Sequence, residues 1–297
     1  EAWEPRNYDG TFDGPMRLRT ALARSKNLVS VRILQDITPQ YAQDYIARFG
    51  FDPKLHPAYL TMALGAGNVT PMQMVVGYSV FANGGFHIPP YFIERIEDHR
   101  HRVLAKAQPR SAGEGADRVI DARNAFLMSS LLQEVVRSGT AARASRLGRS
   151  DLGGKTGTTN DFVDAWFAGY QPNLATAVWV GYPESNDIEM TSVHGTTVFG
   201  GTFPAQIWNS LYVNGEIPCE EFEAPESSVS WAPYYGKYTE SGGGSDSEYE
   251  SFTEDSEDES EAERKGKEAT GGYDPDAFAP GAGQEPAPIS TPAPSPS

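Results

Sequence analysis

Hydrophobic residues in the first 140 positions recur at helical spacing, with polar residues between them. The pattern predicts five helices, over residues 15–24, 28–37, 40–49, 72–82 and 121–138. Thr-Pro pairs at positions 38–39 and 70–71 are typical of a helix cap followed by a first turn. A polar triplet at positions 25–27 interrupts the apolar pattern and therefore marks a junction between the first two helices.

Strand signals cluster after residue 150. Aromatic, β-branched and small residues predict three strands in close succession, over residues 155–159, 165–170 and 176–182. Pro172 and Asn173 predict a hairpin turn between the last two strands. Because helices come first and consecutive strands later, the order favours an α+β fold with an antiparallel sheet over a parallel βαβ array.

Two further segments complete the predicted folded body. Residues 91–96 and 102–104 are expected to pair as a separate two-stranded ribbon. Residues 202–211 predict a closing helix that lays three apolar side chains on the sheet, those of Ile207, Trp208 and Leu211.

Composition changes sharply toward the C-terminus. The formal net charge of the 297 residues is −16, and residues 241–297, with 14 acids and 3 bases, contribute −11 of it. That acidic and then Pro/Ala/Ser-rich segment has little to bury, so it is expected to be a disordered tail. Residues 216–240 show neither the helical nor the strand periodicity of hydrophobic residues and are interpreted as a linker, which leaves 1–215 as the folded body. The acidic balance argues against nucleic acid as a partner.

Several classes of function are excluded by what the sequence lacks. The apolar stretches are far shorter than the ~20 residues of a transmembrane helix, so membrane anchoring is expected only through a segment upstream of Glu1. A single cysteine, Cys219, excludes an internal disulfide. The histidines show no ligand spacing shared with acids, and the glycines at 65 and 67 lack the third glycine of a dinucleotide fingerprint. We therefore expect neither a metal nor a cofactor.

The sharpest local feature is the polar sequence Gly-Gly-Lys-Thr-Gly-Thr-Thr at the head of the first strand in the cluster. Its polarity predicts an edge strand, and Gly157 would let an extended peptide approach closely and add as a further strand. The cation of Lys155 and the hydroxyls of Thr156 and Thr158 suit a substrate carboxylate. The alternative interpretation is a solvated edge strand whose lysine discourages aggregation.

The polar triplet Ser25, Lys26 and Asn27 matches the short pattern Ser-x-Asn. Alone it is equally well explained as a capped break between two helices. Its combination with a later Lys-Thr-Gly element is the pairing found in penicillin-interacting serine enzymes. Longer stretches resemble the transpeptidase domain of class A (bifunctional) penicillin-binding proteins over most of residues 1–215, namely GPMRLRTALARSKNLVSVRILQ, YLTMALGAGNVTPMQMVVGYSVFANGG, GGKTGTTNDFVDAWFAGY and AVWVGY.

The resemblance implies a serine β-lactamase-like fold, in which helices flank an antiparallel sheet. It implies acyl transfer from a peptidoglycan stem peptide ending in D-Ala-D-Ala, with β-lactams as further ligands, at the extracytoplasmic face of the bacterial cytoplasmic membrane. By the same resemblance Ser25 relays a proton to the leaving amine and Asn27 binds the substrate backbone. Lys155 supplies positive potential, Thr156 and Thr158 hold the terminal carboxylate, and the Thr158 N–H is an oxyanion donor.

The family nucleophile is absent from these 297 residues. It lies in a Ser-x-x-Lys motif before the Ser-x-Asn element, and no lysine here has a serine three positions earlier. The sequence is therefore interpreted as a C-terminal fragment, with a fold incomplete at its N-terminal side and no acyl-enzyme of its own. Two other functions stay open: a nucleophile-free module that binds stem peptides or a partner, and a serine β-lactamase.

Overall fold

The structure, a computed structural model, describes residues 3–184, 187–214 and 217–225, all within one unit, Glu1–Gly244. The described α-helices are α1 Leu18–Ala23, α2 Asn27–Ile37, α3 Pro39–Ile46, α4 Pro71–Ala82, α5 Ala122–Ser138 and α6 Phe203–Asn214. The strands are β1 Phe86–His87, β2 Arg95–Glu97, β3 Val103–Lys106, β4 Asp117–Arg118, β5 Gly153–Thr158, β6 Asp164–Gln171 and β7 Leu174–Gly181. Short 3₁₀ helices lie at Ala47–Phe49, Pro53–Leu55, Leu60–Leu64, Ala144–Leu147 and Asn160–Phe162. The predicted tail lies outside the described residues, as does most of the predicted linker, so both stay predictions.

The helix caps lie where the Thr-Pro pairs predicted them. The Thr38 hydroxyl accepts a hydrogen bond from the Tyr41 N–H at the start of α3. At the start of α4, Thr70 and Gln73 form a reciprocal capping box, which satisfies two backbone donors that the first turn leaves free. All five predicted helices of the first 140 residues are confirmed, with ends that differ by a few residues.

The predicted cluster of strands forms one antiparallel sheet in the order β5-β6-β7. Lys155 pairs with Ala168 across β5 and β6, and the turn at Pro172 and Asn173 connects β6 to β7. β5 therefore lies at an edge, as its polar sequence predicted. The predicted ribbon is confirmed as the pair β2-β3, whose residues are all exposed, and a second short pair, β1-β4, was not predicted.

Helices cover both faces of the sheet, and aromatic residues of β6 contact the helices on each face. The ring of Phe167 lies 5.1 Å from that of Trp208 on α6. Tyr170, three residues further along β6 and therefore on its opposite face, forms a 3.0 Å hydrogen bond with Ser129 on α5. These aromatic residues join the largest buried cluster among the described residues, with Leu132, Val135 and Val136 of α5 and Ala205 and Tyr212 of α6.

The prediction for the closing helix was wrong for two of its three side chains. Trp208 is 1% exposed as expected, but Ile207 is 51% and Leu211 40% exposed. Residues 205, 208 and 212 share one face of α6 because side chains three and four positions apart project in the same direction. The apolar residues of this helix surround its axis, so their spacing alone did not identify the buried face.

The two neighbouring positions on α6 provide a direct test of this packing. We expect Trp208→Ala to lower the free energy of unfolding by about 3–5 kcal/mol, because it removes a fully buried ring that packs on Phe167. Ile207→Ala is the matched control, and we expect a change within about 0.5 kcal/mol at that exposed position. Urea unfolding of both variants measures the difference. Equal losses of unfolding free energy would contradict the assignment of Trp208, and not Ile207, to the buried face of α6.

Candidate active site

The junction between α1 and α2 turns sharply at Ser25. The Ser25 N–H donates to Leu22 O and the Lys26 N–H to Ala21 O, at 3.1 and 2.9 Å, and these bonds end α1. Ser25 has a positive φ of 54°, a left-handed conformation that is unfavourable for a residue other than glycine. The reversal lets Ser25 leave the helical path just before Asn27 begins α2.

Lys155 joins this junction to the sheet. Its ammonium donates to Ser25 Oγ at 2.8 Å and to the Thr156 carbonyl oxygen at 2.9 Å. The structure thus brings together two predicted site residues that lie 130 positions apart in the sequence. Close packing of β5 against β6 fixes the base of the lysine, because a Cβ at Gly154 would lie 2.9 Å from Ala168 O.

The surroundings of Lys155 weaken its hold on a proton. Both of its hydrogen-bond partners are neutral oxygens, and no carboxylate pairs with it in the part of the chain that the structure describes. Desolvation lowers the pKa of Lys155 from 10.5 to about 8. Near neutral pH the Lys155 side chain can therefore donate a proton to Ser25, and it can also be reprotonated from solvent.

The threonine hydroxyls of β5 are also held in place. Thr156 Oγ1 lies 2.6 Å from Thr140 Oγ1, and Thr158 Oγ1 accepts from the Gly200 N–H at 3.1 Å. One hydroxyl proton suffices for the bond between Thr140 and Thr156, so one of that pair keeps a free donor. Thr158 keeps its own proton as well. Two hydroxyl donors thus remain available beside Lys155 for an anionic group.

Asn27 points to a different partner. Its side-chain amide donates to the Arg6 carbonyl oxygen at 2.9 Å, and no contact with Ser25 or Lys155 is described for it. The structure thus brings Ser25, Lys155 and Thr156 together. Asn27 instead contacts the N-terminal segment, and its role in binding a substrate backbone stays a prediction.

Sequence reasoning missed two contributors to the site, Thr140 and Gly200. Thr140 follows Gly139 directly after α5, and its hydroxyl braces Thr156. A Cβ at Gly200 would lie 2.3 Å from Trp166 O and 2.8 Å from Gly157 O, so this loop lies directly on the sheet. Gly157 is thus approached closely by the chain's own loop, and the addition of an extended peptide at the outer edge of β5 stays a prediction. The pair Gly200–Gly201 just before α6 was the available signal.

Two negative findings apply to residues 3–184, 187–214 and 217–225. No helix in these ranges is both long and apolar enough to cross a membrane. No three side chains of the types His, Cys, Asp or Glu come together there as a group that could hold a metal ion.

The structure thus joins the two sequence elements Ser-x-Asn and Lys-Thr-Gly, because a lysine on an edge strand donates to a serine between two helices. The family model "Penicillin binding protein transpeptidase domain" matches residues 1–194, and the chain belongs to this family. The resemblance to class A proteins and the penicillin-binding fold are both confirmed.

Relatives and solved structures agree with this assignment. Penicillin-binding protein 1A of Neisseria flavescens is 50% identical over 208 residues, which are 70% of this chain and 25% of that protein. The Pseudomonas aeruginosa protein of the same name is 38% identical over 70% of this chain and 30% of its own length. Penicillin-binding protein 1A from Haemophilus influenzae superposes with a TM-score of 0.67 at 34% identity, covering 75% of this chain and 38% of that one. The chain thus spans about a quarter of the length of the curated relatives it matches first.

Lys26 follows Ser25 in the sequence and Lys155 contacts it in space, and we expect these two lysines to titrate at different pH values. We expect Lys155 to lose its proton with a midpoint near pH 8, whereas Lys26 stays charged beyond pH 10.5 because Asp13 and Asp9 raise its pKa. Carbon-13 shifts of labelled lysine side chains measure both, with assignments from Lys→Arg variants. Between pH 8 and 10.5 the unfolded chain holds the extra proton at Lys155, so this group makes stability rise with pH there. A Lys155 midpoint at 10.5 or above would contradict the desolvation.

The close contact at Gly200 predicts that alanine substitutions at Gly200 and at Gly157 affect stability to different extents. We expect Gly200→Ala to lower the free energy of unfolding by about 1–3 kcal/mol, because the new methyl group would meet backbone atoms of Trp166 and Gly157. At Gly157 an added Cβ would meet only Trp166 Cβ at 3.4 Å, an ordinary contact, so Gly157→Ala should change stability by less than about 1 kcal/mol. Urea unfolding compares the two, and a larger loss for Gly157→Ala would refute the assignment.

Proposed function

We propose that this chain provides the substrate-binding and proton-relay part of a peptidoglycan D,D-transpeptidase that acts outside the cytoplasm. The observation that carries the proposal is the 2.8 Å hydrogen bond from Lys155 to Ser25 beside the edge of β5. Its proposed ligands are stem peptides ending in D-Ala-D-Ala, and β-lactams as their analogues.

Binding uses the polar edge strand. An extended stem peptide adds alongside β5, whose outer edge pairs with no other strand among the described residues. Its terminal carboxylate takes the free hydroxyl donors of Thr158 and of the pair Thr140 and Thr156. The ammonium of Lys155 adds positive potential, which a partly desolvated site screens weakly.

The proton relay follows from the contact between the lysine and the serine. When the peptide bond to the last D-Ala breaks, its nitrogen becomes an amine and needs a proton. Ser25 Oγ donates that proton and takes another from the Lys155 ammonium, to which it is already hydrogen-bonded. Lys155 then regains its proton from water, which its pKa of about 8 allows near neutral pH.

The attacking oxygen has to come from elsewhere, since these 297 residues contain no Ser-x-x-Lys motif. Hydroxyl donors, a lysine and a relay serine can stabilise and protonate, but they cannot form an acyl-enzyme without a nucleophile. We therefore expect the isolated 297 residues to bind the substrate without acylation.

PonA1 of Mycobacterium tuberculosis, solved in complex with penicillin V, shares the fold at 24% identity and a TM-score of 0.63.

A fluorescent penicillin tests this function. We expect no denaturation-resistant adduct on the 297-residue chain, and an adduct once the chain is extended upstream by the adjoining residues of the Neisseria flavescens relative. In the extended chain, Ser25→Ala should slow acylation by about 10²–10⁴-fold, because the leaving nitrogen loses its proton donor. Ser210→Ala, at an exposed position of α6, is the control and should acylate at the unaltered rate.

The outcomes separate the three candidate functions. An adduct on the chain alone would show that the nucleophile is present and would overturn the proposed division of roles. If the extended chain binds a peptide ending in D-Ala-D-Ala and never acylates, the function is that of a binding module. Rapid release of hydrolysed penicillin by the extended chain would identify a β-lactamase.

A further inference from the structure

An irregular segment with a turn at Tyr8 and Asp9, which we name the N-terminal strap (residues 6–13), lies against the junction that carries Ser25. The strap is braced internally, because the Asn7 amide donates to Thr11 O at 2.7 Å and the Thr11 N–H donates to Asp9 Oδ1 at 3.1 Å. Asn7 is itself buried. The strap therefore has a defined shape of its own where it meets the junction.

Lys26 is the main anchor of the strap. Its ammonium contacts Asp9 Oδ2 at 2.7 Å and Thr11 Oγ1 at 3.3 Å, and it forms a second ion pair with Asp13. The Lys26 side chain is 5% exposed, whereas those of Asp9 and Asp13 are 51% and 33% exposed. Burying a lysine is unfavourable unless it is paired. The strap thus supplies the partners that allow Lys26 to be buried beneath the junction.

The residues after Lys26 are held by the strap as well. Asn7 Oδ1 accepts from the Leu28 N–H at 3.1 Å, which caps the first turn of α2 from outside the helix. No side chain at the N-cap position of α2 does so. The Arg6 carbonyl oxygen accepts from the Asn27 amide. Every residue from 26 to 28 therefore has a direct bond to the strap.

We propose that Lys26 is a positioning residue, which clamps the N-terminal strap through Asp9 and Asp13 and so holds Ser25 in the conformation that reaches Lys155. This inference rests on the proposed function of Ser25 as the proton relay. The Ser-x-Asn motif leaves the identity of its middle residue undefined, and the structure gives that residue a specific role. Lys26 acts through the backbone and does not touch the reacting atoms.

The conformation of Ser25 explains why an anchor is needed. Its positive φ is unfavourable for serine, so the turn persists only if its surroundings hold it. Residues before it are fixed by α1, and those after it by the strap. Without the clamp on the second side, the turn can relax toward an ordinary helical conformation and withdraw Ser25 Oγ from Lys155.

The clamp can be tested in the 297-residue chain itself. In Lys26→Met we expect the Leu28 amide proton to exchange with solvent at least tenfold faster, because the strap no longer holds its acceptor. The double variant Asp9→Asn and Asp13→Asn should have the same effect, and Lys26→Arg should restore slow exchange. Arg102→Met is the matched control, since it removes a 2.7 Å ion pair with Asp98 on the distant β2-β3 ribbon. Unchanged exchange at Leu28 in Lys26→Met would overturn the proposal.

Titration of Lys155 distinguishes positioning from a purely electrostatic effect. The double variant removes two negative charges, which by itself would lower the pKa of Lys155. Displacement of Ser25 would instead admit water around Lys155 and raise the pKa of that lysine. We expect a raised midpoint, and a lowered or unchanged one would count against positioning.

Acylation by the upstream-extended chain separates this proposal from the proposed function. We expect Lys26→Met to lower the acylation rate constant at least tenfold with little change in the affinity of the initial penicillin complex, and Lys26→Arg to restore it. If Lys26→Met acylates normally while Ser25→Ala is slow, the clamp is refuted and the relay stands. If Ser25→Ala is as fast as the parent, the relay itself fails, and the exchange experiment still decides whether the clamp exists.

Discussion

The hydrogen bond between Lys155 and Ser25 is the contact on which the rest of the site depends, because it joins the edge strand of the sheet to the junction between α1 and α2. A lysine that approaches a hydroxyl with only neutral oxygens around it loses hydration without gaining a counter-ion. The fold must therefore hold both partners by other means. Close packing of β5 against β6 holds the lysine, and the sharp turn between α1 and α2 holds the serine.

Local signals predicted much of the fold, because they are encoded within a turn or two of chain. The Thr-Pro caps at positions 38–39 and 70–71 and the hairpin turn at Pro172 all lie where expected. The contact between Lys155 and Ser25 is different, since it joins positions 130 residues apart and no local pattern encodes it. It was predictable only because the longer stretches resemble a family whose site is assembled from the same two motifs.

What the sequence did not predict depends on tertiary packing. The buried face of α6 could not be identified because apolar residues surround the helix, and the choice of Trp208 over Ile207 was made by its contact with Phe167. Thr140 and Gly200 lie in loops with no period to analyse, although both contact β5 directly. The N-terminal strap is polar and irregular, so its attachment to the junction became visible only through the partners of Lys26.

Two lysines close to Ser25 in sequence or space show how the surroundings assign different roles to the same side chain. Lys26 meets two carboxylates, keeps its charge over a wide pH range and so makes a lasting anchor. Lys155 is desolvated by burial, which lowers its pKa to about 8, and its hydrogen-bond partners are neutral oxygens, so proton exchange near neutral pH is possible. If the two environments were exchanged, Lys26 would titrate near neutral pH and could not serve as a lasting anchor. Lys155 would stay charged and could not take part in the proposed proton relay. In the proposed function, the acids of the strap therefore act without touching the reacting atoms, because they pair with the lysine that has to stay charged.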